Sequence, residues 1–141
     1  MGKIIKIIVA FVVVAAIGAG AYLYFMPKEE KAEEHKSLSA EEVEELSIDT
    51  DIITTNLASS GNFGIVQFNI LLSDKETKEE AEKRTAEVRA AVIATVASFT
   101  KEELLGESGI TMIEEELTGR LTEVMEKGKV ERVLVTEFKM Q

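Results

Sequence analysis

Any chemistry in this chain would fall to carboxylates. The sequence has no cysteine and a single histidine, His35. Without cysteine there is no disulfide, no thiol nucleophile and no cysteine-bound metal. A lone imidazole in a charged stretch offers no zinc or copper ligand set. A Ser-His-Asp relay would need a histidine in the folded part of the chain. No glycine-rich phosphate loop is present: Gly18 and Gly20 fall in an apolar run, and Gly61 and Gly64 mark a turn. Asp49 and Asp51 stand two apart in a β-branched stretch, which places both on one face of a strand. The expected face is the outer, solvated one, with calcium binding the lesser reading. A carboxylate dyad of the glycosidase kind would have to come from distant glutamates. Those glutamates alternate with lysines on helix faces, as solvated surface does. Residue content therefore points away from an enzyme and requires no cofactor and no metal.

The elements that must carry these residues begin with an anchor. Residues 7–26 form an uncharged run, IIVAFVVVAAIGAGAYLYFM. At ~1.5 Å per residue it reaches about 30 Å, the thickness of a bilayer's hydrocarbon core. Lys3 and Lys6 precede it, Tyr22, Tyr24 and Phe25 lie near its far end, and Pro27 follows. The run predicts a transmembrane helix over 7–26 after a short cytoplasmic head, 1–6. A cleaved signal peptide is the first alternative, since Ala19-Gly20-Ala21 resembles a cleavage site, but the apolar run continues past it. A buried core helix is the second, and the chain is too small to surround one. The basic head predicts the N-terminus inside and the remainder extracytoplasmic, a single span in the bacterial inner membrane. Ala15 and Ala19, like Ala16 and Gly20, are small and four apart, a spacing that lets membrane helices pack closely. Small residues are also common in such helices without that role.

The chain carries a formal charge of −10, and its only charges before Pro27 are Lys3 and Lys6, so residues 27–141 carry about −12. Such a domain repels phosphates, which argues against nucleic acid and anionic lipid surfaces as partners. Residues 27–47 read as a charged linker ending in a short helix, for which Ser39 and Glu42 form a capping box.

Residues 48–141 read as one α+β domain. A β-branched strand from 48 to 57, a turn at 58–64 and an alternating strand at 65–72 make a hairpin. A long helix follows, with Ala81, Thr85, Val88, Val92, Thr95 and Phe99 on one stripe. Thr100 and Glu103 form a second capping box over a short turn that buries Leu104 and Leu105. A further helix spans about 108–127, with Ile113, Leu117, Leu121 and Val124 inward and Met112 and Met125 alongside. Gly119 within it suggests close helix approach, and Gly128 after it a left-handed cap. In the last strand, 130–140, Val133 and Val135 share one face while Leu134, Phe138 and Met140 share the other. Apolar residues on both faces predict a central strand. The expected order is β-β-α-α-α-β, a three-stranded sheet with helices on one side and edges that a neighbouring copy could complete.

In anchor, linker and domain the sequence resembles the FliL family of flagellar basal-body-associated membrane proteins. The resemblance rests on FGIVQFNILLSD (63–74), TKEELLGESG (100–109) and KVERVLVTEFKMQ (129–141). One departure lies in the first strand, where the family often has proline after an aspartate and this chain has Thr50 and Ile52. The resemblance implies a stomatin/prohibitin-like domain without catalysis, placed beside the ion-driven stator of the flagellar motor. It implies partners in the stator and basal body, self-association into rings, and a role in swimming and swarming. A membrane-anchored sensor or ligand-binding module is the alternative, for which a pocket of convergent polar groups would speak.

Overall fold

The computed structural model describes Gly2 and residues 37–141, and the chain divides into two units, Met1–Ser37 and Leu38–Gln141. The anchor expected at 7–26, with Ala15, Ala16, Ala19 and Gly20, and His35 of the linker lie outside the described residues. Among the described residues no helix is long and apolar enough to cross a membrane.

Ser39 starts α1 (Ala40–Leu46) through the expected capping box: its hydroxyl accepts the Glu42 N–H at 3.2 Å and Glu42 Oε2 accepts the Ser39 N–H at 2.9 Å. Next come β1 (Ser47–Asp49), β2 (Ile53–Asn56), β3 (Phe63–Leu72), α2 (Lys75–Lys83), α3 (Thr85–Ala97), α4 (Gly106–Val124) and β4 (Val130–Met140). The domain is α+β, and all its strand pairs are antiparallel. β3 lies in the middle, with β4 on one side and β1 and β2 in succession on the other. Alternation along β3 works as expected: Val66, Phe68, Ile70 and Leu72 are buried, while Gln67 and Asn69 are half-buried on the other face. Val88, Val92 and Val96 of α3 and Ile113, Leu117 and Leu121 of α4 join the same core. Each such side chain contributes about 1.5–3 kcal/mol by leaving water.

The sheet has four strands rather than three because the expected first strand is interrupted. Ser47 to Asp49 pair with Leu71 to Asn69, and Ile53 to Asn56 pair with Val66 to Phe63, one residue out of step. Residues 50–52 absorb the extra residue as a bulge does.

β4 is an outer strand, not a central one. Its ladder with β3 slips twice, between the partners of Gln67 and Phe68 and between those of Leu71 and Leu72, which leaves Thr136 and Glu131 as the extra residues. Each slip reverses the alternation. Val130, Val133, Val135, Phe138 and Met140 therefore all pack toward the core, although their numbers change parity. Apolar residues on both nominal faces were the signature of bulges rather than of a central position.

Other expectations also give way. The long helix breaks at Arg84 (φ −93°, ψ 29°), whose guanidinium reaches Glu80, Glu87 and Glu126; of the expected stripe, Thr85 is exposed and Phe99 half-buried. α4 ends at Val124, short of Lys127. Gly128 is not left-handed: among the described residues only Gly61 and Gly106 have positive φ, each 79°. A Cβ on Gly128 would instead overlap Thr77 Oγ1 and Ser73 Oγ, so glycine is needed for close approach. Gly119 faces open space rather than a neighbouring helix. Leu104 is buried but Leu105 is 58% exposed, because the capped segment at Thr100–Glu103 is a turn that points only one leucine inward.

Candidate functional site

The strongest candidate is a cleft of about 340 Å³ between the β1–β2 row and the paired helices α2 and α3. Three local features build it. α1 is tied to α2 by the Lys75–Glu45 ion pair at 2.6 Å and by Lys78 Nζ donating to the Glu45 carbonyl at 2.9 Å, which fixes where the chain enters β1. Asp74 caps α2, accepting the Thr77 N–H at 2.9 Å. Bonds from the Ser73 hydroxyl and from the Thr77 N–H and hydroxyl hold the Asp74 carboxyl below the usual aspartate range. The third feature is the bulge at Thr50.

Thr50 keeps one ladder bond, its N–H donating to the Phe68 carbonyl at 2.9 Å. Its hydroxyl, not its carbonyl, accepts the Phe68 N–H at 3.0 Å. The freed carbonyl accepts from Gln67 Nε2 at 3.0 Å. The side chain of Thr50 thus replaces a main-chain acceptor and lets the strand bend without orphaning a buried donor.

Ser47, Ile48, Asp49, Thr50 and Asp51 line the cleft in unbroken succession. Alternate residues of a strand face opposite ways, so a surface made by consecutive residues is the strand's edge. Ile53, Ala81 and Val88 supply an apolar floor, and Lys78, Glu82 and Arg89 stand on the helical wall. Two buried hydroxyls, those of Ser47 and Thr95, have no hydrogen-bond partner among the described residues. Thr95 belongs to the core, whereas Ser47 lines the cleft. An unmet buried hydroxyl costs about 1–3 kcal/mol.

The bulge separates Asp49 from Asp51. Asp49 accepts from Asn69 Nδ2 at 2.8 Å, while Asp51 meets Arg89 at 3.8 Å. Among the described residues no three His, Cys, Asp or Glu side chains gather as a metal site would require. Hydroxyls, carboxylates and cations over an apolar floor suit binding.

Sequence periodicity missed a second cluster. Glu80 is buried, and its carboxylate accepts the N–H groups of Glu126 (3.0 Å) and Lys127 (3.1 Å) and Arg84 Nε (2.9 Å). Burial pushes its carboxyl up, but those three donors outweigh burial and leave it below the usual glutamate range. Glu80 thereby joins α2 to the loop that delivers β4. In the sequence it looks like its solvated neighbours Glu79 and Glu82, and only its contacts distinguish it.

On the opposite edge, the Val135 N–H of β4 donates to Glu114 Oε1 of α4 at 2.8 Å. A side chain here occupies a main-chain donor beside the Thr136 bulge.

Residues 47–141 match the family described as "Flagellar basal body-associated protein FliL". The chain is similar to the protein named "Flagellar protein FliL" from Bacillus subtilis (strain 168), with 38% identity over 129 residues, covering 89% of this chain and 88% of that one.

Proposed function

The chain belongs to the FliL family of flagellar basal body-associated proteins, and on that premise we propose that it is a non-catalytic scaffold for the motor's stator. The observation that carries this reading is the extent of the match, which takes in the whole domain and, with the relative, most of the residues before it. In this reading residues 7–26 span the inner membrane once, with the N-terminus inside. Ala15, Ala16, Ala19 and Gly20 form a packing face toward neighbouring membrane helices. Residues 27–47 set the height of the 48–141 domain outside the membrane, where copies of it associate as a ring. The stator is thereby held in an active state, which supports swimming and swarming.

Deleting the gene and following labelled protein in the cell tests this. The expected result is impaired swimming and swarming, restored by the intact gene, with label at flagellar bases. Normal motility under load with diffuse label overturns it. Sedimentation of the full chain tests self-association separately, and a monomer at high concentration excludes the ring.

A second reading is favoured by the cleft beside β1. A membrane-anchored extracytoplasmic binding module would need a pocket with polar groups, and Asp49, Asp51, Glu82 and Arg89 line this one.

A further inference from the structure

We propose that the cleft beside β1 receives an extended, basic polypeptide segment of a partner protein, which pairs with the edge of β1 as an added strand. The inference deepens the binding-module reading and does not depend on the stator.

The backbone supplies the first argument. Among the described residues β1 and β2 pair only with β3, so the other edge of their row has no strand beside it. Thr50 donates its N–H to β3. Along a strand these groups alternate in direction, so the N–H and C=O of Asp49 point away from β3, toward the cleft that Asp49 lines. An incoming strand would meet one donor and one acceptor there.

The walls supply the second. A sheet edge faced across a gap by a helix is the geometry in which extended peptides add to a sheet, the main chain giving affinity and alternate side chains giving selectivity. Here α2 and α3 form that facing wall. Ile53, Ala81 and Val88 form the apolar floor, which would take every second side chain of the added strand.

Charge decides the occupant. Asp49, Asp51 and Glu82 line the cleft with three negative charges, against the two positive charges of Lys78 and Arg89. Asp51 faces Arg89 only at 3.8 Å, Asp49 has only an amide, and Glu82 is exposed at the rim. The net charge of the lining side chains is therefore negative, and residues 37–141 carry about −11 in all. A strand alternating apolar and basic side chains is complementary to this cleft. A second copy of this acidic domain would bring like charge.

The test uses the full chain and a fluorescent peptide in which lysine and valine alternate, followed by anisotropy. Saturable binding is expected, weakened by about tenfold or more in the Asp51→Lys/Glu82→Lys double variant, whose exposed positions leave the fold intact by circular dichroism. N-methylation of alternate backbone amides should abolish binding in one register and spare it in the other. The proposal is overturned if the peptide does not bind or if the charge reversal has no effect. It is equally overturned if lysines and valines arranged in blocks bind as well, if neither N-methyl register matters, or if a peptide copying residues 130–140 binds more tightly.

Discussion

The two outer rows of the sheet flank the same strand, and they are finished differently. β4 runs beside β3 for nearly its whole length, carries two bulges and lends the Val135 N–H to Glu114. Bulges and side-chain capping are devices by which proteins keep a long edge from recruiting another strand. The β1–β2 row is shorter, broken by one bulge, and borders a cleft with an unmet hydroxyl. Both rows use a bulge opposite the same pair of residues, Gln67 and Phe68. On one side the bulge helps close the edge, and on the other it shapes an opening. The lesson is that a local irregularity acquires its role from what stands beyond it: a glutamate of α4 in one case, a gap before α2 and α3 in the other.

The largest effect is expected where both rows share support. Gly128 lies against the Asp74 cap of α2 and in the loop that delivers β4. Gly128→Ala should destabilise the domain by about 3 kcal/mol, since its Cβ overlaps two hydroxyls held in the cap. Urea unfolding measures this, and a loss under about 1 kcal/mol would show that the cap and loop separate readily.

Glu80 links the same two regions electrostatically. Its carboxyl is lowered in the folded protein, so its contribution to stability is fully present above the unfolded value near 4.5 and fades as pH falls through the lower folded value. Asp74 and Glu103, also lowered, act with the same sign. Thermal melts of the parent should lose stability steeply below about pH 4.5. Glu80→Gln should melt lower at neutral pH and show a flatter acid limb; parallel curves would remove Glu80 from the account.

The edges themselves are compared by two substitutions. Thr50→Val leaves the Phe68 N–H without its acceptor and should cost about 2 kcal/mol. Glu114→Ala leaves the Val135 N–H open at the rim, should cost about 1 kcal/mol, and should raise self-association in sedimentation. If Thr50→Val raises association and Glu114→Ala does not, the two edges have been assigned the wrong way round. The smallest effect is a gain. Gly119→Ala should stabilise α4 by about 0.5–1 kcal/mol, since nothing stands where the Cβ would go; a loss would mean that this exposed face is covered by another molecule.

Much of the fold could be read from residues in order. The alternation of 65–72, the capping box at Ser39 and the apolar spacing of Ile113, Leu117 and Leu121 each rest on a period or a pair within a few residues, and each appears in place. Composition also restricted the chemistry, because a stretch lacking histidine and cysteine leaves few nucleophiles or soft ligands from 37 to 141. Folding decided what depends on partners far away along the chain. The break at Arg84 answers to Glu126, the burial of Glu80 to the loop at 126–127, and the glycine at 128 to Ser73 and Thr77. The bulges of β4 were written in its broken parity but could be recognised only against β3, since register is a property of two strands. The cleft is the extreme case: its walls come from 47–53 and 78–89, and no local pattern records the gap left between them.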